Sequence, residues 1–233
     1  MDAADPAQVR SVKPVMERIE AVRAFRQASS AAPTRATAST PGRFFFVSQP
    51  SSEYILIPEV SSERRHYVPV GWMTPNVVSS NKNYIVAEPS LWIFGLLQSA
   101  MHMAWLSTVG GRLKSDFQYS ASMVYNNFPW PDSPSDKQRA AIEAAAQAVL
   151  NERTAFPDST LADLYDPITM PPLLVKAHQT LDRAVDAAYG KRSFASDAER
   201  VAFLFERYQA LTSLLPAAKR GRSAKKPVPR ARR

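Results

Sequence analysis

The sequence predicts an α+β fold: a small, mainly antiparallel sheet with packed helices, followed by a C-terminal helical bundle. Two observations predict it. From Arg43 to Ala87, short β-branched or aromatic runs alternate with Ser, Pro, Asn and Gly, which is the pattern of short strands joined by turns. After Pro131 the chain becomes alanine-rich, with apolar residues at helical spacing and capping signals ahead of them. The expected division is residues 1–131, residues 132–216, and a basic tail over 217–233.

The elements follow in order. Lys13 to Ser29 reads as a helix, with Val15, Ile19, Val22 and Arg26 on one stripe and Met16 and Phe25 beside it. Ser29 to Gly42 is a run of small residues with two prolines. It reads either as a low-complexity linker or as a phosphate-touching loop carrying Arg35. Strands are expected at Phe44–Ser48, Tyr54–Val60, His66–Gly71 and Asn83–Ala87, with prolines at the sheet edges. A charged turn, Ser61 to Arg65, separates two of them.

Ser90 to Thr108 is the most apolar helix, with Ser90 as its N-cap. The 19 residues from Leu91 to Val109 approach the length of a bilayer span. Gly95, Gln98, Ser99 and His102 form a polar stripe along it, so the expectation is a buried amphipathic helix under the sheet, with no membrane partner. His102 then reads as a hydrogen-bonded core residue. Ser135 to Gln138 is a capping box that opens a helix to about Thr154. Pro171 and Pro172 start another, which carries Leu174, Ala177, Leu181, Val185 and Ala188 and stops at Gly190. Ser196 to Glu199 is a second capping box, ahead of Val201, Leu204, Tyr208, Leu211 and Leu215.

The net charge of +8 suggests a nucleic-acid binder, but its location argues otherwise. Eight of the 29 basic residues lie between Lys219 and Arg233, so the remaining 21 balance the 21 acidic ones. The proline-broken tail is expected to be disordered, and reads either as a non-specific, salt-sensitive phosphate contact or as a solubilising tail with no specific partner. Residues 1–131 carry a net +3 and residues 132–216 a net −3.

The chain has no cysteine, and His66, His102 and His178 show no metal-ligand spacing. Its polar, acidic start, MDAADPAQVR, does not read as a signal peptide. No GxGxxG, P-loop or GxSxG motif occurs, nor Asp/Glu-x-Lys. Met170 to Leu173 lacks the amide or acid, and the aromatic, of an adenine-methyltransferase loop. Asp163 and Asp166 read as turn-forming residues. No catalytic, cofactor-binding or metal-binding residue is expected in this chain.

The stretch GRLKSDFQYSASMVYNNFPWP, Gly111 to Pro131, is the densest cluster of aromatics and alternating charges. In an extended segment Arg112, Lys114 and Asp116 would share one face. Lys donates to guanine O6 or N7 and Asp accepts from cytosine N4, so the last two could read one G·C pair. Arg112, Arg64 and Arg65 could hold phosphates nearby. An ordinary surface Lys–Asp pair is the competing reading.

GRLKSDFQYS followed by VYNNFPWP resembles the target-recognition region of the MmeI-like restriction–modification enzymes. ERIEAVRAFRQAS, YILIPEVSSERRHYVPVGW, MHMAW, DSTLADLYDPITMPPLLVKAH and LDRAVDAAYG extend the resemblance over about Val12 to Ser213. It implies that Lys114 and Asp116 read the base pair beside a methylated adenine. It places Gln118, Asn81 and Lys82 near bases as well, and makes double-stranded DNA the partner. It also implies that residues 1–131 are a target-recognition domain incomplete at its N-terminus. The adenine-N6 methyltransferase motifs, the S-adenosylmethionine site and any nuclease would lie before Met1 or on a partner subunit. The chain is then a cytoplasmic recognition part: a truncation, a split gene or a separate specificity subunit. A gene fragment without independent activity and a tail-driven nucleic-acid-coating protein are the alternatives.

Overall fold

The computed structural model describes residues 5–45, 48–190 and 193–213. The basic tail and Leu215 lie outside them. The chain forms two compact units, Met1–Ser48 and Gln49–Arg233.

The first unit is helical. α1 (Pro6–Ser11) is capped by Asp5, and α2 (Lys13–Ala28) follows. The run of small residues folds into a short helix, α3 (Ala32–Ala36), and a turn. Arg26 fixes that turn: its guanidinium donates to the carbonyls of Thr37 (3.0 Å), Thr40 (2.9 Å) and Arg43 (2.8 Å). Arg35 likewise donates to the carbonyls of Ser29 and Ser30. The segment is therefore neither a structureless linker nor a loop with a free cation. The strand expected over 44–48 does not form at Phe44, Phe45 or Ser48, and residues 46 and 47 lie outside the described set.

The second unit holds two three-stranded antiparallel sheets. The first has the order β3-β1-β4, from β1 (Tyr54–Pro58), β3 (Gly71–Met73) and β4 (Asn83–Ala87). The second has the order β2-β6-β5, from β2 (Val60–Ser61), β5 (Gly111–Leu113) and β6 (Asp116–Gln118). Glu59 is the corner between them: its N–H donates to Lys82 O (3.0 Å) and its carbonyl accepts from Tyr119 N (2.7 Å). β3 and β4 pair antiparallel with β1 on its two sides, β3 over Tyr54–Leu56 and β4 over all of Tyr54–Pro58, so β3 ends opposite Tyr54 and β4 begins opposite Pro58. The link 74–82 must therefore cross the sheet. Gln49 straps it by donating to Pro75 O and Val77 O and accepting from Ser79 N.

The strand expected at His66–Gly71 lies later, at β3. Pro69 has no N–H for a ladder, and side chains take the neighbouring carbonyls. Gln98 donates to Val68 O and Arg153 to Val70 O. The long apolar helix is two helices, α4 (Leu91–Leu97) and α5 (Ala100–Val109). Buried Gln98 reaches out at the break, and Ser99 caps α5. Ser90 caps α4 as expected. A side chain at Gly95 would come within 2.7 Å of Ile142 and 3.2 Å of Ala146, so this glycine sets the close approach of α4 to the later helix that carries those two residues. Among the described residues no helix is long and apolar enough to cross a membrane.

A single π-helical turn (Ala121–Tyr125) leads into Phe128–Pro129–Trp130. Tyr125 and Phe128 meet Trp130 edge-on, and Tyr189 Oη donates to Pro129 O. This is the apolar seam between the sheets and the helical region. That region contains α6 (Asp136–Thr154), α7 (Leu161–Leu164), α8 (Pro172–Ala188) and α9 (Asp197–Thr212). The Ser135–Gln138 capping box forms. At α9 Ser196 accepts from Glu199 N, while Glu199 reaches Ala195 N one residue earlier than a capping box requires. One continuous core runs from Ile55 and Val86 through Phe94 and Trp105 to Leu181 and Leu204.

Candidate nucleic-acid interface

Arg112, Lys114 and Asp116 do not lie along one extended strand. β5 and β6 form a hairpin in which Leu113 pairs with Asp116 and Arg112 with Phe117. The chain reverses at Lys114–Ser115, and Lys114 has φ +57°. This corrects the same-face argument: alternation ends where the turn begins. The turn carries neither Asn-Gly nor Asp-Gly, the usual local signals of such a hairpin. Contacts around it hold the bend. The Arg112 guanidinium donates to Ser115 O (3.0 Å) and Ser107 O (3.3 Å) and lies 4.1 Å over the Phe117 ring. Arg112 thus braces the hairpin with the groups expected to hold a phosphate.

Asp116 Oδ1 accepts from Glu63 N at 3.2 Å and fastens the 61–65 turn to the hairpin. Within that turn Ser62 Oγ accepts from Arg64 N, and Arg65 N donates to Ser62 O. The Arg64 side chain is exposed and forms no hydrogen bond or ion pair among the described residues. Arg65 instead lies toward the helical region, where Nη2 donates to Ala162 O (3.4 Å). Lys114 is exposed at the tip and forms no ion pair with Asp116.

Beside the hairpin is an open cleft of about 400 Å³, lined by residues that include Glu59, Tyr84, Gln118, Tyr119 and Met123. Gln118 pairs with Gly111 and Val60, which brings it to the cleft wall. Lys82 stands over the buried Glu59 with Nζ 3.5 Å from Oε2. Asn81, one residue earlier in the same turn, is exposed. The structure thus brings Lys82, Gln118 and Glu59 together, and places Lys114, Asp116 and Arg64 along the hairpin edge.

Glu59 escaped the sequence reading. Its signal was a lone acid between two strand-like runs, YILIP and VS, where a charge is costly to bury unless paired. Under the cleft, Tyr119 Oη lies 3.0 Å from His102 Nε2. Burial lowers His102 to about 3, so the ring is neutral near pH 7. It is the core residue the sequence suggested.

A second buried polar network joins the sheets to the helices. Arg153 donates to Val70 O (2.8 Å), Gln98 Oε1 (2.6 Å) and Tyr165 Oη (3.0 Å). His178 lies 2.7 Å from Tyr165 Oη, stacks on Tyr67 and contacts Gln98 O through Nδ1. Asp182 accepts from Tyr67 Oη and Ala100 N, each at 2.7 Å. Burial raises Asp182 to about 6 and lowers His178 to about 3.

Among the described residues no group of three or more His, Asp or Glu is arranged to hold a metal ion. Two small sheets braced by helices, with a charged hairpin and a polar cleft at their edge, define a recognition module. Comparison with known proteins makes this specific. The MmeI target recognition domain matches residues 1–132 and the MmeI C-terminal domain matches residues 134–216, so the chain belongs to the MmeI family. It is 38% identical over 205 residues to DNA methyltransferase A of Bacillus subtilis (strain 168), covering 88% of this chain and 23% of that protein. The Type IIL restriction-modification enzyme MmeI, solved in complex with DNA, superposes with a TM-score of 0.84 at 52% identity. That match covers 91% of this chain and 28% of MmeI. The chain spans about a quarter of the length of both relatives.

Proposed function

We propose that this chain reads the base sequence of double-stranded DNA for an adenine-N6 methyltransferase or restriction–modification enzyme. The observation that carries the reading is the hairpin edge. Lys114 stands exposed at its tip without a hydrogen-bond or ion-pair partner among the described residues, two residues from Asp116, whose Oδ1 is spent on Glu63 N. Lys114 then donates to guanine O6 or N7, and Asp116 Oδ2 accepts from the N4 amino group of the paired cytosine.

Gln118 on the cleft wall and Asn81 in the exposed turn ahead of β4 carry amide groups suited to adenine edges. Lys82 and Glu59 offer a donor and an acceptor that must separate or be read as a pair. Arg64 holds a backbone phosphate, while Arg112 and Arg65 serve mainly to shape the edge. The kinship with MmeI, whose solved structure contains DNA, supports the same reading.

Catalysis belongs to a methyltransferase region outside this chain, in the same polypeptide or on a partner, and that region binds S-adenosylmethionine. Such a protein works in the cytoplasm, where the DNA is. Binding-site selection from random duplexes tests the proposal. A defined sequence should emerge, and should persist after deletion of residues 219–233. If affinity disappears with the tail and no sequence preference remains, the chain coats nucleic acid and does not read it.

A further inference from the structure

Three apolar side chains gather at one end of the helical region. α6 and α8 run antiparallel. Gln138, at the start of α6, donates to Ala187 O near the end of α8, while Arg153, at the end of α6, contacts Tyr165 just ahead of α8. Phe156, just past α6, and Leu173, in the first turn of α8, therefore share an end, with Ile168 in the turn between them. Ile168 is 80% exposed, Leu173 60% and Phe156 37%.

The turn that presents Ile168 is built. Asp166 Oδ1 accepts from Ile168 N at 2.9 Å, and its carbonyl accepts from Thr169 N and Met170 N. A β-branched residue held that far into water loses burial worth having, so a contact surface explains it better than chance. Isolated exposed apolar residues are ordinary; three at the same end of a helix pair, one of them on a fixed turn, point to a contact surface.

Charge selects the occupant. Between Phe156 and Leu173 there are three aspartates and no basic residue, so the rim repels phosphate and also repels a second copy of itself. The partner is a protein surface with an apolar centre and a basic surround. Position narrows it further. Arg65, from the turn fastened to Asp116 through Glu63, donates to Ala162 O in this same segment. The end therefore adjoins the candidate reading edge. An enzyme that modifies DNA at a recognised sequence must hold its catalytic region on the same duplex, next to that edge. The two relatives carry roughly three quarters of their length beyond the match.

We infer that the Phe156–Leu173 end docks the catalytic region of a DNA methyltransferase, which rests on the recognition reading above. The test uses the full chain and, as probe, the portion of MmeI outside the matched segment, expressed as a separate tagged polypeptide. Wild-type chain should be captured by it. Ile168→Asp and Leu173→Asp should each weaken capture at least tenfold, and Ile168→Leu should restore it. Selected-duplex binding and thermal unfolding of the chain should be unchanged. Equal capture of wild type and both Asp variants overturns the assignment, as does no capture of a folded, sequence-selective chain. A wild-type dimer that Ile168→Asp converts to monomer gives the surface to self-association and overturns it too. Loss of sequence selection by the wild-type chain would instead defeat the recognition reading itself.

Discussion

The buried network around Arg153 and the exposed hairpin around Lys114 handle charge in opposite ways. Arg153 has no carboxylate partner among its contacts, yet its guanidinium is committed to Val70 O, Gln98 Oε1 and Tyr165 Oη and packs against the Phe94 and Tyr165 rings. The Lys114 side chain is exposed, forms no hydrogen bond or ion pair among the described residues, and stands on a backbone conformation that L-residues rarely adopt. The comparison teaches that a cation's residue type does not predict its role. Arg112 and Arg65 have the composition of phosphate ligands, but their own backbone neighbours use them. What separates a structural cation from a candidate reader is whether nearby carbonyls have claimed it.

The largest effect should come from breaking the buried side. Arg153→Met removes the Arg153 donor from three buried acceptors, of which Gln98 Oε1 can still accept from Tyr165 Oη at 3.0 Å while Val70 O is left without a partner. At about 1–3 kcal/mol for each unsatisfied group, partly relieved by relaxation, the loss should be about 3 kcal/mol or more by urea denaturation. A cost under about 1 kcal/mol would mean the network is dispensable.

On the exposed side, exchanging Lys114 and Asp116 also removes the Asp116–Glu63 hydrogen bond, which should cost about 0.5–1.5 kcal/mol, less than the Arg153 change. It should move preference from G·C toward C·G at one position, by about 1–3 kcal/mol per pair. Unaltered preference in a binding-site selection would remove both residues from the reading.

Acid separates the regions again. The His102 and His178 side chains, ordinarily near 6.5, are held near 3 in the fold, and Asp182 is raised from 3.8 to about 6. Between about pH 6 and 4 the unfolded chain binds the two histidine protons, while the native state binds the Asp182 proton. The unfolded state thus gains the net proton, and stability falls as pH falls, by about 1.4 kcal/mol per pH unit for each net proton. Asp182→Asn removes the opposing group and should steepen the loss. Denaturation midpoints at pH 7, 6 and 5 check both signs.

The smallest effect tests the strain. Lys114→Gly suits the positive φ and should stabilise by less than about 1 kcal/mol, while abolishing discrimination at the base pair assigned to Lys114. Destabilisation by this change would show that the lysine side chain, and not only the turn, supports the hairpin.

Much of the helical framework was legible because its signals are local. Ser90, Ser135 and Ser196 each cap a helix at the position their spacing indicates. Asn83–Ala87 is a strand throughout its expected span. The misreadings share one cause. Gln98 interrupts the apolar helix, and residues 66–70 fail to become a strand, because side chains distant in sequence take Val68 O and Val70 O. The reading edge was legible as residues but not as geometry. Glu59 escaped because its meaning depends on Lys82 standing over it.

The sequence by itself determined the main helices of the C-terminal region, the caps at Ser90, Ser135 and Ser196, and the family, since these depend on residues close together or on the pattern as a whole. The tertiary structure decided where the chain turns at Lys114, which arginines remain available and which carboxylate lines the cleft. Those outcomes depend on hydrogen bonds between residues such as Asp116 and Glu63 or Arg65 and Ala162, which lie 53 and 97 positions apart. No periodicity along the chain encodes pairings of that range.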